Sequence, residues 1–239
     1  MRLDRWVGEA LSSRAKAREA IAQGRVKVNG ATVRDGAFGV SEGDRVLLDG
    51  AAVGARETLH LMLHKPAGCV TAREDAALST VFDLLPPGLR TSELSAVGRL
   101  DRDVTGLLLL TEDGQLAHRL ISPRFEVEKV YRAIVEGRLT EADVRRMAEG
   151  VALSDFTARP ARLAILSAAD DSSAALLTVH EGKFHQVKRM FAALHHPVKA
   201  LHRQSVGGIE LDAALAPGEF RKLTSEETAH LYKLTEMNP

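Results

Sequence analysis

VGRLDRDVTGLLLLTEDG, residues 97–114, joins a charged loop to an apolar strand and then to a helix start. Arg99, Asp101, Arg102 and Asp103 crowd four charges into five positions just ahead of Gly106. Leu107 to Leu110 then reads as a buried strand, and Asp113 caps a helix expected to run through Ile121. A carboxylate in such a loop can serve as nucleophile, general base or metal ligand. It can equally form a structural salt bridge with its neighbours, and the residues alone leave these readings open.

Outward from this stretch, strands and helices mix without regular βαβ alternation. Leu59–Leu63 starts a strand that ends at Lys65-Pro66-Ala67-Gly68. A helix is expected from Thr140 to residue 150, with Glu141 and Asp143 in its first turn. Leu176–Val179 reads as a strand, and Val187, Met190, Phe191 and Leu194 have helical spacing. The pattern predicts an α+β fold.

At the N-terminus, Leu3, Trp6, Val7, Ala10 and Leu11 form a helical stripe. Ser12 or Ser13 caps a second helix that Gly24 stops. Arg25–Val28 alternates like a strand, Asn29-Gly30 is a hairpin signal, and Val46–Leu48 is another strand. DGAAVGARE, residues 49–57, is small and weakly patterned, a linker candidate. The expected organisation is a module over 1–50, a linker over 51–58 and a larger domain over 59–239.

The 239 residues carry 32 basic and 32 acidic side chains, so bulk charge gives no support to nucleic-acid binding. Local patches differ. Residues 183–203 hold Lys183, Lys188, Arg189, Lys199 and Arg203 and no acid. Arg14 and Arg18 are four apart on one helix face, with Arg25 close in sequence. The single cysteine, Cys69, excludes a disulfide framework and a multi-thiolate zinc site. His195 and His196 are adjacent and diverge, and no His-Glu-x-x-His is present, so no metal is expected. No apolar run approaches the roughly 18 residues that cross a bilayer. Arg2, Asp4, Arg5 and Glu9 fall where a signal peptide needs an apolar core. A cytoplasmic protein without membrane contact is expected.

The run SSRAKAREAIAQGRVKVNG, residues 12–30, behind a short amphipathic helix, resembles the S-four RNA-binding module. The resemblance covers about residues 1–48 and implies RNA contacts through Arg14, Arg18 and Arg25.

Three further segments resemble the pseudouridine synthases, in particular the RsuA and RluB type and its small-subunit branch. In Gly98-Arg99-Leu100-Asp101, the resemblance makes Asp101 the nucleophile and Arg99 the group that displaces the target base. The family usually has two hydroxyl residues before the glycine; here the first is Val104, and Thr105 remains. Lys129-Val130-Tyr131 matches a Lys-x-Tyr motif whose tyrosine packs on the base. In EGKFHQVKRMF, residues 181–191, Lys188 matches the cation that pairs with the nucleophile, beside Lys183 and Arg189 as RNA-contacting residues. The implied fold is the pseudouridine-synthase domain, a mixed, mainly antiparallel sheet with the cleft across its middle.

The resemblance implies isomerisation of uridine to pseudouridine in ribosomal RNA, with 16S RNA expected. Carbon–nitrogen cleavage and carbon–carbon reattachment need no net electrons, so no cofactor is expected. The expected partner is ribosomal RNA, free or in a partly assembled small subunit, and the chain is expected to be a monomer. The same reaction on 23S RNA is one alternative. A non-catalytic RNA-binding assembly factor is another. Deleting residues 1–50 is expected to weaken RNA binding and flatten its salt dependence, because phosphate contacts release counterions. Identical salt slopes for the full and shortened chains, in filter binding, would count against this module contacting RNA.

Overall fold

A computed structural model describes residues 1–41, 43–54 and 58–237. The chain forms two compact units, Met1–Thr58 and Leu59–Pro239. Among the described residues, no helix is long and apolar enough to cross a membrane.

In the first unit, α1 (Leu3–Ala10) and α2 (Arg14–Ala22) cover a small antiparallel sheet. Its strands are β1 (Val26–Val28), β2 (Ala31–Thr32), β3 (Val46–Leu48) and β4 (Ala51–Ala52), in the order β2-β1-β3-β4. Leu3, Trp6 and Val7 of the apolar stripe pack with Ala17, Ile21, Val26 and Val46. Ser13, not Ser12, caps α2 by accepting from the Lys16 N–H.

The reading of residues 49–57 as linker is corrected over its first half. Asp49 and Gly50 have φ of 53° and 83°, as Asn29 and Gly30 have 50° and 86°. Both pairs therefore have the left-handed backbone of a two-residue hairpin turn. The residues after Asp49-Gly50 return as β4 against β3, and the Trp6 indole donates to the Val53 carbonyl at 2.9 Å. Small side chains hid a strand held by backbone bonds. Residues 55–57 of that reading lie outside the described residues.

The second unit has the expected α+β, mainly antiparallel architecture. Its strands are β5 (His60–Lys65), β6 (Ser95–Ala96), β7 (Thr105–Thr111), β8 (Lys129–Glu136), β9 (Arg162–Ala168), β10 (Ser172–Val179), β11 (Val198–Val206), β12 (Ile209–Glu210) and β13 (Phe220–Lys222). Its helices are α3 (Gly114–Ile121), α4 (Glu141–Glu149), α5 (Gln186–Ala193) and α6 (Ser225–Leu234). The sheet order is β13-β5-β7-β11-β8-β10-β9, with β12 on β11 and β6 on β7. Asp113 caps α3 by accepting from the Gln115 and Leu116 N–H groups. The Leu107–Leu110 run is apolar throughout because β7 is covered on both faces. Leu108 and Leu110 enter one core; Leu107 and Leu109 enter the other.

Among the described ladders only β7–β11 is parallel, and it spans two pairs, His202 with Thr105 and Arg203 with Gly106. These pairs continue a row across the sheet. Lys65 opposes Gly106, Gly106 opposes Arg203, Arg203 opposes Tyr131, and Tyr131 opposes Leu177. Opposed residues share a face of the sheet. Gly106 has φ of 108°, and a Cβ there would lie 2.7 Å from the Arg203 nitrogen, too close for any side chain.

Gly106→Ala is therefore expected to destabilise this unit by about 3 kcal/mol, from left-handed strain plus a backbone clash. Gly68→Ala is the control, with φ of 98° but open space around it. Its cost is about 1–2 kcal/mol. Denaturant unfolding with equal midpoints for the two variants would contradict the close approach.

Candidate active site

The row places Tyr131 and Arg203 on the floor of a cavity of about 500 Å3. Arg99, Asp101, Lys129, His185 and Lys188 line it with them. Asp101 comes from the loop entering β7, and Lys188 and His185 from the start of α5. Lys188 Nζ lies 3.0 Å from Asp101 Oδ2 and 2.7 Å from Asp103 Oδ1. His185 Nε2 lies 3.4 Å from Asp101 Oδ1. Both Asp101 oxygens thus face a nitrogen carried by α5.

Burial would lower the Lys188 ammonium, but hydrogen bonds to Asp103 and Asp101 outweigh it and its pKa ends above the usual lysine value. The Lys188 hydrogen bond holds the Asp103 carboxyl below the ordinary aspartate range. The reading of Asp101 in a salt bridge with its neighbouring arginines is corrected. Arg102 Nε donates to the Gly68 carbonyl at 3.2 Å. Arg99 is exposed at the cavity wall and makes no ion pair among the described residues. Sequence neighbours fan outward in a turn, whereas a helix from elsewhere can approach end-on.

The loop is anchored from beneath. The fully buried Lys65 ammonium donates to the carbonyls of Pro66 at 3.0 Å, Arg102 at 3.3 Å and Val104 at 2.9 Å. Burial lowers its pKa, with Cys69, Asp103 and Asp101 acting in the opposite direction. The Thr71 hydroxyl donates to the Leu100 carbonyl at 2.8 Å and accepts from the Leu100 N–H at 3.1 Å. Backbone on both sides of Asp101 is therefore fixed. Val104, where a hydroxyl residue is usual, is buried in the core, while the Thr105 hydroxyl bonds His202 Nδ1 at 2.9 Å.

Tyr131 is 8% exposed and packs in the core beside the cavity. Lys129, two residues earlier, donates to the carbonyls of Leu120 at 3.3 Å and Val127 at 2.8 Å. Burial, with Arg203 nearby, lowers its pKa to about 8. Arg203 Nε donates to the Leu107 carbonyl at 2.8 Å, and its Nη2 is buried without a hydrogen-bond partner among the described residues.

The other expected RNA contacts prove to be partly engaged. Lys183 Nζ lies 3.7 Å over the Phe156 ring. Arg189 pairs with Asp155 and reaches Ser154 Oγ at 3.1 Å. In the first unit, Arg14 and Arg18 join Arg2 on the buried Asp4 carboxylate, at 3.2, 3.0 and 3.2 Å for Arg14, Arg18 and Arg2. The Arg2 hydrogen bond is the largest cause holding that carboxyl far below the aspartate range. Arg25 pairs with Asp49 at 2.5 Å. One acid thus knits three arginines into one patch while leaving Arg14 and Arg18 more than half exposed.

Comparison with known proteins matches residues 59–193 to the RNA pseudouridylate synthases and residues 1–46 to the S4 domain. The first match covers more than half of the chain. The chain belongs to the RNA pseudouridylate synthase family. It is 41% identical over 98% of its length to all of a Vibrio vulnificus protein named ribosomal small subunit pseudouridine synthase A. It is 42% identical over 96% of its length to 99% of the Escherichia coli K12 protein of that name. A crystal structure of a pseudouridylate synthase superposes with a TM-score of 0.68 at 38% identity, covering 97% of this chain and 99% of that one.

In this pseudouridylate synthase fold, sequence reasoning named the cations at positions 99 and 188 but missed Lys65, His185 and Asp103 as partners of the loop. His185 and Asp103 were visible as polar residues beside named ones. Lys65 gave no signal beyond a lysine closing an apolar strand.

Lys129 carries a pH prediction. Between about 8 and the usual lysine value of 10.5, the unfolded chain binds a proton that the folded chain does not. Stability therefore rises with pH across that window. Wild type is expected to gain on the order of 2–3 kcal/mol relative to Lys129→Met from pH 8 to 10.5 in denaturant unfolding. A difference that stays flat with pH would mean that Lys129 is not held against burial.

Proposed function

We propose that this protein isomerises a uridine of 16S ribosomal RNA to pseudouridine, with Asp101 as the catalytic carboxylate. The observation that carries the reading is the Asp101–Lys188 pair at 3.0 Å on the wall of a cavity floored by Tyr131. Full-length similarity to proteins named for the small subunit supports the choice of RNA.

In this reading the target base leaves its stack, at a cost of a few kcal/mol, and enters the cavity. Arg99, exposed and without an ion pair among the described residues, fills the space it vacates. The ribosyl C1′–N1 bond breaks with its electron pair going to N1. Asp101 drives this step, by attack on C1′ or by taking a ribose proton in an elimination. The uracil turns and its C5 bonds to C1′, as the bond from Asp101 to C1′ breaks in the first route or the ribose proton returns in the second; the proton lost from C5 is matched by one gained at N1. Product and substrate are isomers, so nothing else enters or leaves. Lys188 acts on Asp101 alone: it neutralises and orients the carboxylate, with Asp103 holding the ammonium from the other side. Tyr131 packs on the uracil. The unit Leu59–Pro239 carries the chemistry, and Met1–Thr58 contributes RNA contacts through Arg14, Arg18 and Arg25. The reaction on the RNA of an assembling subunit, in the cytoplasm and by a monomer, completes the proposal.

Mapping pseudouridine in 16S and 23S RNA from cells with and without the protein tests this directly. One 16S position is expected to lose its modification, and an unchanged map of both RNAs would overturn the reading. Asp101→Asn is expected to abolish product, because an amide is not a nucleophile. Lys188→Met is expected to lower the single-turnover rate at saturating enzyme by at least about a hundredfold, as for loss of a partner inside a site. Lys183→Met is expected to show a binding loss that saturation overcomes. Equal single-turnover rates would remove Lys188 from the site.

A further inference from the structure

Phe184 is 70% exposed, more than any other large apolar side chain among the described residues. It is not on a loose loop. The buried Glu181 carboxylate accepts from the Arg159 N–H at 2.8 Å and from Gln186 Nε2 at 2.7 Å. Gln186 Oε1 accepts in turn from the Lys183 N–H at 3.0 Å, and the Gln186 N–H donates to the Lys183 carbonyl at 3.1 Å. The Phe184 carbonyl accepts from Arg189 Nη1 at 3.4 Å. His185 adopts a left-handed backbone, φ 48° and ψ 28°, which a residue with a Cβ enters at some cost. A segment bonded at both ends thus holds a strained residue and presents an apolar ring to solvent, an arrangement that core packing does not call for.

The ring has a definite orientation. It stacks on the His185 imidazole with centroids 3.8 Å apart and planes 18° apart. His185 Nε2 in turn faces Asp101 Oδ1 at 3.4 Å. His185 thus links the Asp101 carboxylate to the Phe184 ring, which remains largely exposed. Phe184, His185, Lys183, Lys188 and Arg99 line the same cavity. A single aromatic ring set among cations does not have the contiguous apolar patch of a protein-docking surface. It does suit a polyanion that carries flat π-faces.

We propose that Phe184 is a stacking platform for an unpaired RNA base adjacent to the target uridine, aligned with Asp101 through the His185 ring. This rests on the pseudouridine synthase reading for the identity of the target. It adds a contact that Asp101 and Tyr131 do not make, and it requires the RNA flanking the target to be single-stranded. Because the loop is fixed before RNA arrives, little ordering opposes the contact.

The test uses the full chain, with single-stranded oligouridylate and an RNA duplex of equal length as probes. Phe184→Leu keeps the apolar volume and removes the π-face, and Phe184→Trp keeps the π-face. Phe184→Leu is expected to weaken oligouridylate binding roughly tenfold, as for loss of one base stack. Its duplex binding is expected to stay within about twofold of wild type, because paired bases offer no free face. Its salt slope should be unchanged, because no phosphate contact is lost. Phe184→Trp is expected to bind oligouridylate at least as well as wild type. Three outcomes would overturn the proposal: equal loss on both probes, no loss on either, or Phe184→Trp failing as Phe184→Leu does. A wild-type protein that binds oligouridylate in this pattern yet forms no pseudouridine in ribosomal RNA would sink the functional reading and leave the Phe184 contact standing.

Discussion

Two residue pairs of parallel ladder, Thr105 with His202 and Gly106 with Arg203, set the geometry of the catalytic unit. Parallel strands bring the segments that precede them to the same end of a sheet. The loop before β7 and the helix before β11 therefore arrive together, although Asp101 and Lys188 are far apart in the chain. The antiparallel neighbours complete the row, since β5 ends at Lys65 opposite Gly106 and β8 sets Tyr131 opposite Arg203. The approach is so close that Gly106 leaves no room for a Cβ. A side chain there would part the strands that bring carboxylate and ammonium together.

Positive charge is distributed around this seam by depth. Lys65 is wholly buried and spends its hydrogen bonds on three loop carbonyls, so it fixes backbone. Lys188 is partly buried between two carboxylates and keeps its proton firmly. Lys129 hydrogen-bonds only backbone carbonyls among the described residues, and burial, with Arg203 nearby, brings its pKa down to about 8. Three lysines thus have three environments, and the partner of each decides whether desolvation wins. The first unit solves a related problem with one buried acid, Asp4, whose charge lets three arginines crowd one surface.

Much of the local structure was legible. The turn pair Asn29-Gly30, the Asp113 cap, the Leu107–Leu110 strand and the apolar spacing of α5 each rest on short-range rules, and each is present as read. Where local rules conflicted with composition, composition misled: Asp49-Gly50 is the same turn signal as Asn29-Gly30, yet small neighbours made it look like linker. The long strands β8 and β11 escaped attention because neither alternates cleanly, with the charged Lys129 and Arg203 at buried positions, and their pairing with distant strands fixes them.

The sequence by itself determined the two modules, the α+β class and the family, because helix stripes, turn pairs and three ordered motifs are properties of neighbouring residues. It also marked Asp101 as the residue of interest. The family resemblance offered Lys188 as its partner, and the tertiary structure decided which group faces each Asp101 oxygen. Arg102, beside Asp101 in the chain, bonds the Gly68 carbonyl instead, while Lys188 and His185, more than eighty positions later, face the two carboxylate oxygens. In this loop the neighbouring Arg102 is engaged elsewhere, so the partners of Asp101 come from another element. Which element comes is settled by strand order and register, and these emerge only when the whole sheet closes on its core.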